Sequence, residues 1–283
     1  MPNLIFLNGK IVEETQGHVS ILDRGFLYGD GLFETLRAYD KKPFRLEDHV
    51  TRLSNSVQHF GIPFHYTPLQ IRHIIEQLLT RNNLPDAYIR MTLSRGSGAN
   101  GLIPTGICNP TFVIYTKPFI AYSATLYKTG VSLITSHIQR STTCPISAHK
   151  TLNYLTNYLV KKEAVEKGVH DAIILNTEGH VAECAVSNIF IVERGTVITP
   201  SLQANILPGI TRKIILELSK ENGIHVSEEL FGMERVRAAE EVFLTNSLME
   251  IMPVSKIEGR TVGMLAPGAV TSFLHEKYKV LTH

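Results

Sequence analysis

The second half of the chain consists of short apolar runs separated by turns, and this pattern constrains the fold more than any other feature. The runs VSLITSHI, DAIILN, HVAECAVSNIFIV, TVITP and EVFLTNS begin at residues 131, 171, 180, 196 and 241. Glu178-Gly179 and Arg194-Gly195 provide two of the turns between them. Apolar runs of this length, bounded by glycine turns, are typical of buried strands. We therefore expect a sheet in this half, with helices over residues 151–167 and from residue 210 to about 223.

The predicted helix over residues 151–167 places Leu152, Leu155 and Leu159 in register on one face. Such spacing indicates the side of a helix that packs against a core. Near the chain end, VSKIEGRTV predicts a hairpin, and a last helix carries Val270 and Leu274 among its apolar residues.

The first part of the chain mixes helices and strands. LIFLNGKIV predicts two strands around an Asn8-Gly9 turn. Apolar residues spaced by three and four from residue 46 to 60 predict an amphipathic helix, and Thr67, Pro68 and Gln70 form the start signal of another. AYIRMTLSR and PTFVIYTKP follow as strands. We expect an α+β protein with a small domain over residues 1–117, a linker over 118–130 and a strand-rich domain over 131–283.

Composition excludes several classes of protein. The 283 residues carry 28 basic and 26 acidic side chains, a formal charge of +2, without the basic stripe of a nucleic-acid binder. No apolar run reaches the roughly 20 residues of a membrane helix, and no signal peptide is recognisable at residue 1. Three scattered cysteines favour reduced thiols over a disulfide framework. We expect a cytoplasmic protein that binds small molecules rather than nucleic acid or a membrane.

Two common motifs do not carry function here. Residues 96–101 match GxGxxG after a strand, but Pro104 and Gly106 follow where a dinucleotide-binding motif needs a helix. The twelve histidines include no HExxH or comparable pair, so we expect no metal site.

The order and spacing of several segments are specific in combination. They are ILDRGFLYGDGLFETLR at 21–37, SAHKTLNYL at 147–155, EGHVAECAVSNIFIV at 178–192, ILPGITR at 206–212 and FLTNSLMEIMPV at 243–254. Together they resemble the fold-type IV, or class IV, pyridoxal phosphate enzymes: branched-chain aminotransferases, D-amino acid aminotransferases and aminodeoxychorismate lyases. The resemblance covers nearly the whole chain. It implies an enzyme with bound pyridoxal 5'-phosphate, a small N-terminal domain, a larger cofactor-binding domain and a homodimeric assembly.

The motif lysine and glutamate have roles that suit their surroundings. Lys150 precedes the predicted helix of residues 151–167, where the positive end of the helix dipole favours the neutral amine needed to form an imine. The resemblance implies that Lys150 is the Schiff-base lysine and the acid/base that moves the α-proton. Glu183 lies in an apolar strand, and a buried carboxylate needs a partner. The resemblance gives the protonated pyridine nitrogen as that partner, and a salt bridge is the alternative.

The cofactor phosphate needs hydrogen-bond donors and positive charge. Residues 208–211 open a predicted helix, whose free N–H groups suit an anion. The resemblance assigns the phosphate to Ile210 and Thr211 at this helix, to Ser247, and to Arg52 in the HxxRL segment of residues 49–53. It also places Tyr154 near the phenolic oxygen of the cofactor, although branched-chain enzymes have this tyrosine one residue later.

The residues that distinguish the substrate classes of these enzymes point to different classes. D-amino acid aminotransferases carry an arginine and a histidine where this chain has Asn100 and Leu102, and a tyrosine where it has Phe33. Aminodeoxychorismate lyases share the FET segment, in which Thr35 is the matching threonine, but usually have an arginine at position 100. Branched-chain aminotransferases have FEG instead of FET.

The YIR segment of branched-chain aminotransferases is present at residues 88–90. The resemblance implies that Tyr88 and Arg90 hold the substrate carboxylate, that Tyr28 and Phe33 line an apolar pocket, and that Leu248 also lines the substrate site. Neutral walls favour an apolar substrate, because an unpaired charge would be costly there. We therefore expect transfer of the amino group of a neutral L-amino acid, branched-chain or otherwise apolar, to a 2-oxo acid. The alternatives are the lyase, which releases pyruvate and 4-aminobenzoate, and the D-amino acid aminotransferase.

Overall fold

The computed structural model describes residues 2–98, 101–264 and 266–282. Asn100, which bears on the substrate class, lies outside these residues. The chain forms two compact units. The first runs up to Ile120 and also includes Lys150–Asn153, and the second holds Ala121–His149 and the chain from Tyr154 onward. No sequence pattern indicated that residues 150–153 join the first unit.

The first unit contains an antiparallel sheet. Its strands are β1 (Leu4–Leu7), β2 (Lys10–Glu13), β3 (Gly31–Tyr39), β4 (Lys42–Pro43), β5 (Ala87–Ser97) and β6 (Asn109–Pro118). They are arranged in the order β2-β1-β6-β5-β3-β4. The predicted turn at Asn8-Gly9 is present and pairs Leu7 with Lys10.

Helices pack with this sheet. They are α1 (Arg24–Tyr28), α2 (Leu46–Phe60) and α3 (Pro68–Arg81), of which α2 and α3 supply buried apolar residues to the core. The predicted helix over residues 46–60 is confirmed, and so is the capping box of α3, in which Thr67 and Gln70 exchange hydrogen bonds. Along β3 the side chains of Leu32, Leu36 and Ala38 enter the core. Because successive side chains of a strand point to opposite faces, the odd-numbered residues of β3 face the other side of the sheet. Glu34 is the charged exception on the core side.

The second unit contains a larger mixed sheet. Its strands are β7 (Val131–Thr135), β8 (Asp171–Leu175), β9 (Val181–Cys184), β10 (Asn188–Glu193), β11 (Thr196–Pro200), β12 (Val226–Glu229), β13 (Glu241–Asn246), β14 (Glu250–Ile257) and β15 (Arg260–Thr261). The order is β12-β11-β10-β13-β14-β7-β8-β9, with β15 beside β14. Its helices are α4 (Ala124–Thr129), α5 (Leu155–Glu166), α6 (Ile210–Glu221), α7 (Met233–Ala238) and α8 (Ala269–Thr282). None of the helices in the described ranges is long and apolar enough to cross a membrane.

One strand prediction is wrong in this unit. The run HVAECAVSNIFIV is not one strand: it breaks between β9 and β10, where the Cys184 N–H donates to the Ser187 carbonyl at 2.8 Å and closes a turn without glycine or proline. Helix α4, capped by the Ser123 side chain, lies within residues 118–130, the segment expected to be the linker.

The helix predicted over residues 151–167 also differs from the structure. It begins at Leu155, and its buried residues are Val160 and Ala164, which pack with β8. Leu155 and Leu159 are instead 70% and 45% exposed. The leucine spacing therefore marks an apolar surface of the monomer rather than a face turned to its core.

Candidate active site

Lys150 is fixed by backbone pairing with β3. The Phe33 N–H donates to the Lys150 carbonyl at 2.9 Å, and the Leu152 N–H donates to the Gly31 carbonyl at 2.9 Å. Residues 150–152 thus extend the sheet along the edge of β3 that β4 leaves open at this end. The amine Nζ of Lys150 lies 4.2 Å from the centroid of the Phe33 ring.

This pairing corrects the expectation that Lys150 precedes a helix start directly. Helix α5 begins five residues later, at Leu155, and residues 151–152 are strand-paired instead. The influence of a helix dipole fades within the terminal turn, so the dipole argument for a neutral Lys150 amine does not hold. In the structure Lys150 is half-buried, and its amine lies above the Phe33 ring.

The non-core face of the sheet brings together four of the predicted substrate residues. Phe33 and Thr35 lie on β3, and Tyr88 and Arg90 lie on β5, with Thr35 opposite Arg90 in the register. The Arg90 guanidinium carbon is 3.9 Å from the Phe33 ring centroid, and Arg90 Nε donates to Thr92 Oγ1 at 3.2 Å. An amine, a guanidinium, a phenol and a hydroxyl therefore share one half-buried surface with an aromatic ring.

The pKa values of the two phenols on this face, Tyr88 and Tyr115, shift in opposite directions. Burial raises the pKa of Tyr88, but hydrogen bonds with Tyr115, Thr35 and Arg90, together with the Arg90 charge, outweigh burial and lower it. For Tyr115, burial and the neighbouring Tyr88 raise the pKa to about 12. Tyr88 is thus the more acidic phenol of the pair.

Glu34, Arg52 and His49 form an ion pair network on the opposite face of β3. Glu34 Oε1 accepts from Arg52 Nε at 2.8 Å, and Oε2 accepts from Arg52 Nη2 at 2.6 Å and from His49 Nδ1 at 2.7 Å. Burial raises the pKa of Glu34, yet Arg52 and His49 overcome it and lower the value to about 2. Burial lowers the pKa of His49, so its imidazole is neutral at pH 7 and donates through Nδ1–H.

Glu183 is the centre of a second cluster, in the second unit. Its Oε1 accepts from Arg140 Nη1 at 2.5 Å, and its Oε2 accepts from the Leu207 N–H at 3.0 Å and from Asn188 Nδ2 at 3.3 Å. The salt bridge that sequence reasoning gave as the alternative is therefore present. Both carboxylate oxygens therefore have donors within the second unit, and a role of Glu183 toward a cofactor stays a prediction.

Helix α6 begins beside this cluster. Gly209 is its N-cap and has no side-chain cap, so the N–H groups of Ile210 and Thr211 lie in an uncapped first turn. A Cβ on Gly209 would lie 2.0 Å from Asn188 Oδ1, which explains the glycine. Thr245 stands opposite Asn188 in the β10–β13 register, and its buried hydroxyl has no hydrogen-bond partner among the described residues. This set of donors suits an oxygen-rich anion.

The remaining predicted residues have plainer surroundings. Ser247 and Leu248 lie in the turn between β13 and β14, where Asn246 Oδ1 accepts the Leu248 N–H at 2.9 Å. Tyr154 is half-buried and precedes α5 directly. Tyr28 is exposed at the end of α1, with the Arg24 guanidinium 5.0 Å from its ring.

Sequence reasoning missed several residues of these clusters. Arg140 and Tyr115 had no motif to identify them. Glu34 and His49 lie inside motifs in which the family resemblance assigns roles only to other residues. A charge at a core-facing position of an alternating strand is a usable signal, and it points to Glu34. Among the described residues no group of three or more His, Cys, Asp or Glu side chains could hold a metal ion.

The first unit holds a lysine above an aromatic ring and an arginine–phenol pair. The second unit holds a buried carboxylate and a helix start that suits an anion. Comparisons with known proteins specify the family of the protein. The family described as "Amino-transferase class IV" matches residues 31–257. The chain belongs to the class IV aminotransferases. The family, enzyme class and α+β fold expected from sequence are confirmed.

Relatives with three different names match over most of their length. A Methanocaldococcus jannaschii protein, provisionally named a branched-chain-amino-acid aminotransferase, is 39% identical over 97% of this chain and 95% of its own. D-alanine aminotransferase of Bacillus licheniformis is 32% identical over 94% and 93% of the two chains. Aminodeoxychorismate lyase of Bacillus subtilis is 33% identical over 98% and 94%.

Solved structures of branched-chain aminotransferases share the fold. That of Escherichia coli is 31% identical and covers 100% of this chain and 95% of its own, with a TM-score of 0.95. That of the archaeon Thermoproteus uzoniensis, solved with norvaline, is 32% identical and covers 98% and 94%, with a TM-score of 0.91. A further branched-chain aminotransferase of this fold was solved with pyridoxamine 5'-phosphate.

Proposed function

We propose that this protein is a pyridoxal phosphate-dependent transaminase that moves the amino group of a neutral, branched-chain or otherwise apolar L-amino acid to a 2-oxo acid. The observation that carries the substrate assignment is the surface under Lys150, where Phe33 provides an apolar wall and Tyr88 and Arg90 provide one polar pair. One polar pair suits one carboxylate, and an aromatic wall suits an uncharged side chain.

The residues of both units fit pyridoxal phosphate. When bound, the cofactor supplies an aldehyde for amines and a ring that takes up electrons. Lys150 would attach the cofactor, and Glu183 would accept the hydrogen of its protonated pyridine nitrogen. Arg52, Ile210, Thr211 and Ser247 would hold its phosphate. Tyr154 would hold its phenolic oxygen.

Different side chains of the protein would move the proton, bind the carboxylate and select the substrate side chain. Lys150 Nζ would take the α-proton of the substrate and deliver it to the cofactor carbon that carries the amino nitrogen, which requires the amine to be neutral at that moment. Arg90, Tyr88 and Thr35 orient the carboxylate. Phe33, with Tyr28 and Leu248, limits the side chain that can enter. The two half-reactions exchange one amino group and give ping-pong kinetics.

A lyase is the second candidate, because Thr35 matches the lyase segment and hydrogen-bonds to Tyr88 on the substrate face. Product analysis separates the two functions. The loaded protein is incubated either with L-leucine and 2-oxoglutarate or with aminodeoxychorismate. Formation of 4-methyl-2-oxopentanoate and glutamate supports the transaminase, whereas pyruvate from aminodeoxychorismate, without transfer from leucine, supports the lyase. D-leucine in place of L-leucine tests the remaining alternative.

The protein is also assigned as a cytoplasmic homodimer. Cys108, Cys144 and Cys184 are free thiols, which a reducing compartment maintains. In residues 21–28, Ile21, Leu22 and Phe26 are 76%, 65% and 75% exposed, an apolar segment that a second copy would cover. Phe26→Glu should give monomers in sedimentation velocity at micromolar concentration, whereas the control Val280→Glu, at an exposed site on α8, should not. A monomeric wild-type protein would contradict the assignment.

A further inference from the structure

A buried carboxylate in the core of the first unit requires an explanation. Glu34 is 1% exposed and lies on the same face of β3 as the core residues Leu32 and Leu36. A charge at such a position is costly unless partners compensate it. Any apolar residue of similar size would suit the neighbouring leucines.

The partners of Glu34 come from one face of α2. His49 and Arg52 are three residues apart, so both side chains point from the helix toward β3. Arg52 presents the edge formed by Nε and Nη2, and both contacts are within 2.8 Å. His49 donates to the oxygen that Nη2 also contacts. The carboxylate is therefore held on three sides, and the guanidinium is fixed in one plane.

Stability alone does not account for this network. Replacing a buried ion pair by apolar side chains is often neutral or stabilising, so such pairs are weak evidence for a purely structural role. The two-point contact between Arg52 and Glu34 does fix the orientation of the Arg52 side chain, because a guanidinium bound along one edge cannot rotate about its last side-chain bonds. Arg52 is 11% exposed, so it is also shielded from water.

We propose that Glu34 and His49 are positioning residues that hold the Arg52 guanidinium, by its Nε–Nη2 edge, in the orientation that binds the cofactor phosphate. This inference rests on the proposed function, in which Arg52 is a phosphate ligand. The same strand supports Lys150 through Phe33 on its other face. Adjacent residues of β3 thus fix the two side chains of the first unit that we assign to the cofactor.

Two effects of Glu34 oppose each other, and the test must separate them. The carboxylate fixes Arg52, which favours phosphate binding, but its negative charge partly neutralises Arg52, which disfavours it. Glu34→Asp keeps the charge and withdraws the carboxylate by one methylene. Glu34→Gln removes the charge and keeps the length. His49→Gln keeps the Glu34 charge and length and removes the imidazole that holds the carboxylate.

The measurement is equilibrium dialysis of pyridoxamine 5'-phosphate and of pyridoxamine, neither of which bonds covalently to Lys150. The dissociation constant of pyridoxamine divided by that of pyridoxamine 5'-phosphate isolates the contribution of the phosphate to binding. We expect Glu34→Asp to reduce this ratio roughly 10-fold and His49→Gln to reduce it severalfold, because charge-assisted bonds depend on geometry. A purely structural network would lower the melting temperature and leave the ratio unchanged.

Arg52→Ala distinguishes the failure of this inference from the failure of the proposed function. If the wild-type protein does not prefer the phosphorylated ligand, or if Arg52→Ala retains the preference, the phosphate assignment itself fails. If Arg52→Ala loses the preference but Glu34→Asp and His49→Gln keep it, only the positioning role is overturned. An increased preference in Glu34→Gln together with an unchanged Glu34→Asp also overturns it, because charge rather than orientation would then control binding.

Discussion

The amine of Lys150 lies 4.2 Å from the centre of the Phe33 ring, and the Phe33 N–H donates to the carbonyl of Lys150. The same residue therefore fixes the backbone of the proposed catalytic lysine and supports its side chain. Since Arg90 packs on the same ring at 3.9 Å, Phe33 also links the lysine to the proposed carboxylate site.

Replacing Phe33 should impair both the catalytic lysine and the proposed carboxylate site. Phe33→Leu keeps most of the apolar volume but removes the aromatic face that attracts the two cations, a contribution of about 0.5–1 kcal/mol for each. We expect kcat/KM for L-leucine to fall about 5- to 30-fold, with little loss of stability. Steady-state kinetics and thermal unfolding check this, and a variant with wild-type kcat/KM would contradict it.

Removal of the Tyr88 hydroxyl should act mainly on substrate binding. Tyr88→Phe breaks the hydrogen bonds with Thr35, Tyr115 and Arg90, which hold the proposed carboxylate site in place. Because a hydrogen bond to a charged group contributes about 1.5–3 kcal/mol, KM for L-leucine should rise at least 10-fold. The affinity for pyridoxamine 5'-phosphate should stay the same. A change confined to cofactor affinity would show that Tyr88 has another role.

Loss of Arg140 should destabilise the second unit. Arg140→Gln leaves the Glu183 carboxylate buried without its cation, and breaking one partner of a buried pair costs about 3–5 kcal/mol. Urea unfolding at pH 7 measures the cost. Arg140→Lys is the control that keeps the charge and should lose less. An unchanged free energy of unfolding in Arg140→Gln would show that Asn188 and the Leu207 N–H suffice for Glu183.

The Glu34 network should make stability depend on pH in two windows. The pKa of Glu34 falls from 4.5 to about 2 on folding, so its contribution, about 3 kcal/mol, is present above pH 4.5 and is lost as the pH falls toward 2. His49 has a folded pKa below 6.5, so folding excludes its proton and stability begins to fall below pH 6.5.

Unfolding free energies from pH 7.5 to 3.5 test these windows. Glu34→Gln should flatten the acidic part of the profile, and His49→Gln should flatten the part just below pH 6.5. A profile that keeps both slopes in both variants would place the titrating groups elsewhere.

Gly209→Ala should disturb the start of α6 by steric contact. The glycine has φ −65°, which any residue adopts, so the only obstacle is Asn188 Oδ1, 2.0 Å from the new Cβ. We expect about 1–3 kcal/mol of destabilisation and weaker binding of pyridoxamine 5'-phosphate. In an Asn188→Ala background the same change should cost less, because the obstructing atom is gone. Equal costs in both backgrounds would contradict the steric explanation.

The local signals in the sequence predict much of the fold. The apolar spacing of α2 and the capping box of α3 involve residues that are close in the chain, and both are present as expected. The start of α5 was misplaced because residues 151–152 pair with β3, about 120 residues earlier, and local propensity does not contain that information. The break between β9 and β10 was missed because its turn has no glycine or proline.

The candidate site divides in the same way. Short motifs are enough to predict Lys150, Glu183 and the start of α6 as site residues, because each prediction depends on a single segment of the chain. The pairs that give the site its geometry, such as Glu34 with Arg52 and Glu183 with Arg140, join segments 18 and 43 residues apart. Such pairs follow from strand register and helix packing, which the motifs do not encode.

The absorption spectrum of the protein loaded with pyridoxal phosphate tests the central claim most directly. L-Leucine is added in the absence of any 2-oxo acid, with Lys150→Ala as the control. The transaminase assignment predicts that the visible band of the bound cofactor bleaches with formation of one equivalent of 2-oxo acid, and that a 2-oxo acid restores it; Lys150→Ala should show neither change at a comparable rate. A band that persists with leucine and with other neutral L- and D-amino acids would contradict the transaminase assignment and favour the lyase.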